Sequence, residues 1–192
     1  MGFVKKSLPV ILLLTLFLSC GKKSIDAEFQ FADFADIYEE TYDSAEELSK
    51  ENRWEYLVIH CTANYRPITR ERLLQVFRSY GWKKPGYNIF INRQGVSDTL
   101  VPFNMDPFIT SNEIANGVRG YNSRSIHISY DGGVDSRLRP RDTRTIPQRQ
   151  ELIRHINYIR FIYPHIKVVG HNELDRFKAC PSFDVKKEYS LQ

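Results

Sequence analysis

Three side chains far apart along the chain have the types that hold a zinc ion: His60, His171 and Cys180. Two imidazoles and a thiolate are suitable zinc ligands. His60 ends the apolar run Tyr56-Leu57-Val58-Ile59, and His171 follows Ile166-Lys167-Val168-Val169-Gly170. Residues at the ends of central strands point into a shared crevice at one edge of a sheet. Cys180 stands nine positions after His171. Three protein ligands leave a fourth position for water, the arrangement of a catalytic centre rather than a closed structural one. Lys178 precedes Cys180 by two positions. In an extended segment both side chains face the same way, and an ammonium beside a metal would stabilise an oxyanion. Spacing alone leaves other readings open. A histidine at a strand end also serves as an ordinary hydrogen-bonded residue, and Cys180 with a histidine base would make a metal-independent cysteine hydrolase. Pro181 directly after it, with no helix start there to lower its pKa, counts against a nucleophilic role.

The elements that must position these residues are legible from periodicity. Tyr56 to His60 reads as a buried strand. Thr69 caps an expected helix over Arg70 to Tyr80 that stops at Gly81, with Leu73, Leu74 and Phe77 on one face. Tyr87 to Asn92 and Val96 to Val101 read as strands joined by a turn at Arg93-Gln94-Gly95. Ser125 to Tyr130 alternates Ile126, Ile128 and Tyr130 on one face, so His127 falls on the other. Thr145 and Pro147 open a second helix, whose Leu152, Ile156, Ile159 and Tyr163 keep the helical period until Pro164. Ile166 to Val169 reads as a last central strand. Strands and helices alternate, so the expected class is α/β: one domain, a central mixed sheet flanked by helices, and a zinc site in a groove at the sheet edge. Residues 102–124 form a long loop-rich segment of the kind that lines a site.

Composition removes several classes. With 192 residues, 42% of them hydrophobic, the chain can bury the core of one ordinary domain, and 26% charged residues argue against wholesale disorder. Three cysteines are too few, and odd in number, for a disulfide scaffold. No apolar stretch of about 20 residues exists, which excludes a polytopic membrane protein.

The first residues read as an address. Lys5 and Lys6 precede the apolar run Leu8 to Leu18, a signal-peptide pattern. The run ends at Leu18-Ser19-Cys20-Gly21, which resembles a bacterial lipobox. That implies cleavage after residue 19, acylation of Cys20 and a membrane-held mature protein. An ordinary secretory signal with an incidental cysteine is the alternative. Residues 21–52 carry three lysines against ten acids, whereas 53–192 carry 22 bases and 13 acids. The expected organisation is therefore a signal over 1–19, a lipidated Cys20 and acidic linker over 20–52, and one domain over 53–192. The basic domain suggests an anionic partner. The export signal argues against nucleic acid, and a cell-wall polymer bearing carboxylates fits the envelope better. Surface bases that merely confer solubility are the other explanation.

Four runs together resemble the type 2 N-acetylmuramoyl-L-alanine amidases, a family that includes phage lysozyme-like amidases and animal peptidoglycan recognition proteins. They are YLVIHCTA at 56–63, GWKKPGYNIFINRQG at 81–95, GYNSRSIHISYDGG at 120–133 and VVGHNELDRFKACPSFD at 168–184. They occur in the family's order over nearly all of residues 54–185. The resemblance implies a central mixed sheet flanked by helices with Zn2+ in a groove. It places the metal ligands at His60, His171 and Cys180, a catalytic tyrosine at Tyr87 and a catalytic lysine at Lys178. It implies a peptidoglycan or muropeptide substrate, and together with the lipobox pattern the expectation is a lipid-anchored monomer in the cell envelope, facing the periplasm or the cell surface. Members without activity lack the cysteine ligand, so Cys180 favours an enzyme over a recognition module without turnover.

The chain departs from the family twice. Asn88 stands where a histidine often follows the tyrosine, and where many have an Ala-His pair before the Gly-Tyr-Asn run, this chain has Ala115-Asn116 somewhat further upstream. These departures touch substrate contacts rather than the metal. Asn88, Tyr121 and Asn122 are the expected substrate contacts, with Asn122, Ser123 and Arg124 equally suited to pinning their loop. Trp82, Phe103 and Tyr121 could stack on sugar or peptide, although packing is the more ordinary use of each. Cys61 should point away from His60 as a small buried hydrophobe. His155 and His165 have no ligand-like context.

Overall fold

The computed structural model describes residues 54–104, 106 and 108–189. The expected signal, Cys20 and the acidic stretch lie outside the described residues. Among the described residues five strands form one sheet: β1 (Tyr56–Cys61), β2 (Ile89–Ile91), β3 (Ser97–Thr99), β4 (Ser125–Tyr130) and β5 (Lys167–Gly170), in the order β3-β2-β4-β1-β5. The β1–β4, β1–β5 and β2–β4 pairs are parallel, and β2–β3 is antiparallel. The sheet is mixed, as expected. The expectation for residues 166–169 needs correction, because β5 is the edge strand beyond β1 and not a central one. The expected strands at 87–92 and 96–101 shrink to three residues each, since only Ile89–Ile91 can pair both with β4 and with the hairpin partner.

Alternation along the strands assigns the two faces. Leu57, Ile59 and Cys61 of β1 pack with Ile126, Ile128 and Tyr130 of β4 and with Ile89 and Ile91 of β2. Helix α2 (Ile146–Ile162) covers this face through Leu152, Ile156 and Ile159, all at most 1% exposed. Its start is a capping box in which Thr145 and Gln148 satisfy each other's backbone N–H. Gln148 is fully buried and its amide also donates to the carbonyls of Ile91 and Asp131, which anchors the helix to two strand ends. On the opposite face Phe90 meets Leu73 and Phe77 of helix α1 (Arg70–Ser79), capped by Thr69. Val58, His60, His127 and Ser129 belong to this second face by alternation, so the chemistry lies on the side covered by α1 and not by α2.

Two short helices finish the chain: α3 (His171–Leu174) and α4 (Val185–Tyr189). The Arg144 side chain, with no exposed surface, holds α4 in place. It pairs with Asp142 at 2.9 Å and Glu188 at 2.7 Å, donates to the Tyr189 hydroxyl, and lies 3.3 Å over the Phe183 ring. A buried guanidinium is tolerated only with such complete pairing. Burial works against ionisation of Asp142, but the bonds from Arg144 and Arg149 prevail and bring its pKa down to about 2 from 3.8.

A carboxylate whose folded pKa is depressed contributes stability that is present above its unfolded value and lost as pH falls. Asp142→Asn is therefore expected to lower stability near pH 7 by about 2 kcal/mol. It should also flatten the loss of stability between about pH 4 and about pH 2. Urea melts of both proteins across that range measure the effect, and equal acid limbs would remove Asp142 from the account.

Candidate metal centre

Parallel pairing places the ligands. In the register of β1, Ile59 lies opposite Gly170 and His60 opposite Ser129. The residue after Gly170 is His171, the first residue of α3, so the chain turns into a helix just beside His60. The carboxylate of Glu173 folds back to accept the Gly170 N–H at 2.8 Å and fixes that turn. Turns closed by Lys178 N–H to the Asp175 carbonyl and Ser182 N–H to the Ala179 carbonyl bring the chain round again. The Asn172 N–H donates to the Cys180 carbonyl at 2.8 Å, and the buried Tyr130 hydroxyl donates to the Pro181 carbonyl at 2.6 Å. Cys180 is thereby held against both β4 and α3.

The result is a group in which the ligand atoms of His60, His171 and Cys180 all lie within 4.8 Å of one another. His60 Nδ1 is 3.7 Å from Cys180 Sγ, and the two imidazole rings meet edge to face with centroids 4.8 Å apart. Zinc bonds of about 2.0–2.3 Å set tetrahedral ligand atoms roughly 3.3–3.8 Å apart. The donor set fits zinc in kind, and the His60–Cys180 separation of 3.7 Å lies in that range. The wider spread of the group, up to 4.8 Å, would have to close by about 1 Å around an ion. The Cys61 backbone N–H points at Cys180 Sγ at 3.2 Å, a contact that steadies a thiolate.

Electrostatics favour neutral imidazoles, the form that ligates. Burial, then the neighbouring His127 and His171, hold the His60 pKa well below its ordinary value. Burial and the Lys178 charge do the same for His171. The adjacent Cys61 thiol and burial push the Cys180 thiol up, with the Lys178 ammonium opposing them. Binding a cation there would displace a proton from the sulfur.

The other expected site residues divide into those near this group and those away from it. The Tyr87 ring lies 5.1 Å from His60, and its hydroxyl donates to the Cys61 carbonyl at 3.4 Å. Burial, reinforced by the cysteine sulfurs, raises its pKa and keeps it a donor. Lys178 is exposed in the turn before Cys180. Asn88 is fully buried, and its amide is spent on backbone: it donates to the carbonyls of Val101 and Glu113 and accepts from the His127 N–H. Tyr121 meets Tyr56 edge to face and lies under the Arg124 guanidinium at the start of β1, four residues and roughly 13 Å along the strand from His60. Asn122 accepts the Val118 N–H at 2.7 Å and pins its own turn.

Trp82 stacks on Phe77, which meets Tyr87 edge-on, so an aromatic ledge runs from solvent to His60. Cys61 packs in the core as expected, but its backbone serves the site at both ends. The bases are not evenly spread. Arg93, Arg137, Arg139 and Arg141 border one cavity of about 520 Å³ with Tyr65 and Asp135. Sequence reasoning also passed over His127, whose Nδ1 lies 3.1 Å from His60 Nε2. An Ile-His-Ile alternation reveals its face but not its neighbour.

The chain is similar to known proteins in sequence and in fold. A family model described as N-acetylmuramoyl-L-alanine amidase matches residues 50–183. An endolysin of Enterobacteria phage K11 is 28% identical over 144 residues, 73% of this chain and 89% of that protein. Among solved structures, the N-acetylmuramoyl-L-alanine amidase LysC from Clostridium intestinale URNW superposes with a TM-score of 0.59 at 18% identity, covering 74% of this chain and 89% of that one. Bumblebee PGRP-SA superposes with a TM-score of 0.54 at 18% identity, covering 71% and 80%. The last two likenesses concern the fold alone.

The close approach at Gly170 supplies a test of how the group is held. A Cβ there would lie 2.4 Å from Asn172 Oδ1 and 2.9 Å from Pro181 Cδ, although the backbone itself suits any residue. Gly170→Ala is expected to push the Cys180 loop outward and weaken zinc binding by about tenfold or more while the circular dichroism of the fold persists. Unchanged zinc affinity, measured by competition with a chromophoric chelator, would refute this.

Proposed function

The chain belongs to the N-acetylmuramoyl-L-alanine amidase family, and we infer that it is a zinc-dependent enzyme that cuts the amide between N-acetylmuramic acid and L-alanine in peptidoglycan. One observation carries the reading: the family match spans all three members of the His60, His171 and Cys180 group, whose ligand atoms converge within 4.8 Å. Zinc held by these residues would polarise the scissile carbonyl and lower the pKa of a water molecule toward neutrality.

The chain's own residues do the rest. The scissile carbonyl belongs to the lactyl group of the sugar, and the leaving group is the amine of L-alanine. Attack of water on the carbonyl carbon creates a tetrahedral oxyanion. The Lys178 ammonium, in the turn that leads to Cys180, supplies positive charge where that anion develops. The Tyr87 hydroxyl stays protonated in its desolvated position and donates a hydrogen bond to the attacking oxygen or to the oxyanion. The ledge of Trp82 and Phe77 offers flat apolar surface to the sugar or the peptide next to this centre.

We further propose that the protein works in the cell envelope. Lys5, Lys6 and the apolar run to Leu18 would export it, and acylated Cys20 would hold it on a membrane as a monomer facing the periplasm or cell surface. In this reading the acidic residues 20–52 form the tether. No helix of the described residues is long and apolar enough to cross a membrane, which fits a protein held by acyl chains.

Mass spectrometry of digested peptidoglycan, with zinc measured on the same sample, tests the reading. Free stem peptides and intact glycan strands are expected. Product formation should stop with a strong chelator and return with zinc. His171→Ala should lose metal and turnover together. Lys178→Ala should keep the metal and lose turnover by about 10²–10³-fold. Muropeptide binding without any product would make the chain a recognition module. Activity that ignores the chelator and dies with a thiol alkylator would make it a cysteine hydrolase.

A further inference from the structure

His127 sits in the middle of β4, opposite Val58 of β1 and on the face that carries His60. Its ring has no exposed surface. Nδ1 lies 3.1 Å from His60 Nε2, with the rings tilted by 55° and their centroids 5.2 Å apart. Backbone also closes on the ring. A Cβ at Gly117 would lie 2.3 Å from the same Nδ1 and 2.5 Å from Cγ, so the Gly117 backbone lies against the imidazole with no room for a side chain. Asn88 clamps the His127 backbone at both ends, its own N–H donating to the His127 carbonyl and its Oδ1 accepting the His127 N–H. The second ring nitrogen, Nε2, is buried and has no hydrogen-bond partner among the described residues.

This geometry constrains what His60 can do. Its Nε2 is committed to His127, so Nδ1, which faces Cys180 at 3.7 Å, is the nitrogen left for a metal. A neutral imidazole carries one proton. The contact between the two rings also carries one. When that proton belongs to His60, Nδ1 has a free lone pair aimed at the group. When it belongs to His127, His60 must be protonated at Nδ1 and cannot ligate. A metal therefore requires His127 Nδ1 to act as acceptor, which puts the His127 proton on the orphaned Nε2.

We propose that His127 is a positioning residue of the metal centre. It holds His60 in the Nδ1-open tautomer and fixes the ring's tilt toward His171 and Cys180. The inference rests on the zinc reading of the site and adds to it the group that orients the first ligand. Packing alone does not account for a histidine here. A leucine would fill the space without burying an unsatisfied N–H, and the one hydrogen bond made by the His127 side chain among the described residues is to His60.

The two explanations predict opposite results. Zinc affinity is measured by chelator competition, and the thermal midpoint is measured on metal-free protein, for the wild type, His127→Leu and His127→Asn. Asparagine can place its Oδ1 where Nδ1 stood and still accept. The expectation is a loss of zinc affinity of about 10–100-fold in His127→Leu with an equal or higher metal-free midpoint, and recovery of most of that loss in His127→Asn. A folded His127→Leu that binds zinc as tightly as the wild type overturns the proposal. Nitrogen-15 imidazole shifts of the zinc-loaded wild type test it without any substitution. They should report His60 protonated at Nε2, and protonation at Nδ1 overturns the proposal even where the leucine variant does not fold. Wild-type protein that binds no zinc overturns the zinc reading itself, and this inference with it.

Discussion

The whole arrangement depends on one strand being paired on both sides in a single register. β1 lies between β4 and β5, and its parallel ladders bring Ile59 level with Gly170 and His60 level with Ser129. Because side chains alternate along a strand, a slip of one residue would turn His60 into the apolar face under α2 and bring Cys61 out. The register is defended by that same alternation: Leu57, Ile59 and Cys61 are buried among Ile126, Ile128, Tyr130 and the α2 side chains, so a slip would strip a whole row from the core. Hydrophobic pattern on one face thus fixes the position of the chemistry on the other.

Around that strand several buried polar groups are paired, while Ser125 Oγ, Ser129 Oγ and His127 Nε2 have no hydrogen-bond partner among the described residues. His60 and His127 are at most 1% exposed and face each other. Asn88 spends its amide on three backbone groups, and the Glu113 carboxylate, also buried, accepts from the N–H groups of Asn104 and Thr110 and from the Thr110 hydroxyl. The described residues of 102–124 contain no helix or strand beyond two short 3₁₀ turns, yet they are tied at these points and press Gly117 onto His127. Many side chains of this stretch face solvent, and it meets His127 through the backbone of Gly117.

Much of this was legible in the chain before any coordinates. The two helices with their Thr caps and the Ser125–Tyr130 strand follow from period and position, because each rests on local pattern. Residue type, by contrast, only suggests a metal at His60, His171 and Cys180, and the family resemblance is what implies the grouping seen here. What was not legible depends on long-range pairing. Ile166–Val169 reads as an interior strand because its run is apolar, yet Val168 and Val169 are half-buried on an edge strand finished by α3 and α4 packed near it. Asn88 and Tyr121 stand in motifs that suggest substrate contact, whereas the Asn88 amide is consumed inside and the Tyr121 ring meets Tyr56 edge to face at the far end of β1. His127 and Arg144 look like isolated polar residues, and only the fold shows the imidazole and the paired carboxylates that justify burying them.

The spacing of the paired strands along the chain also orders events in time. β1 is among the first elements of the domain to be synthesised, but its neighbours on either side come roughly 70 and 110 positions later. Local helices can form early, while a parallel ladder must wait for the loop between its strands to close, which slows assembly. The group of His60, His171 and Cys180 therefore has no precursor: a growing polypeptide carries its first member long before the last exists. A chain cut short ahead of residue 180 would keep all five described strands and yet never complete the group.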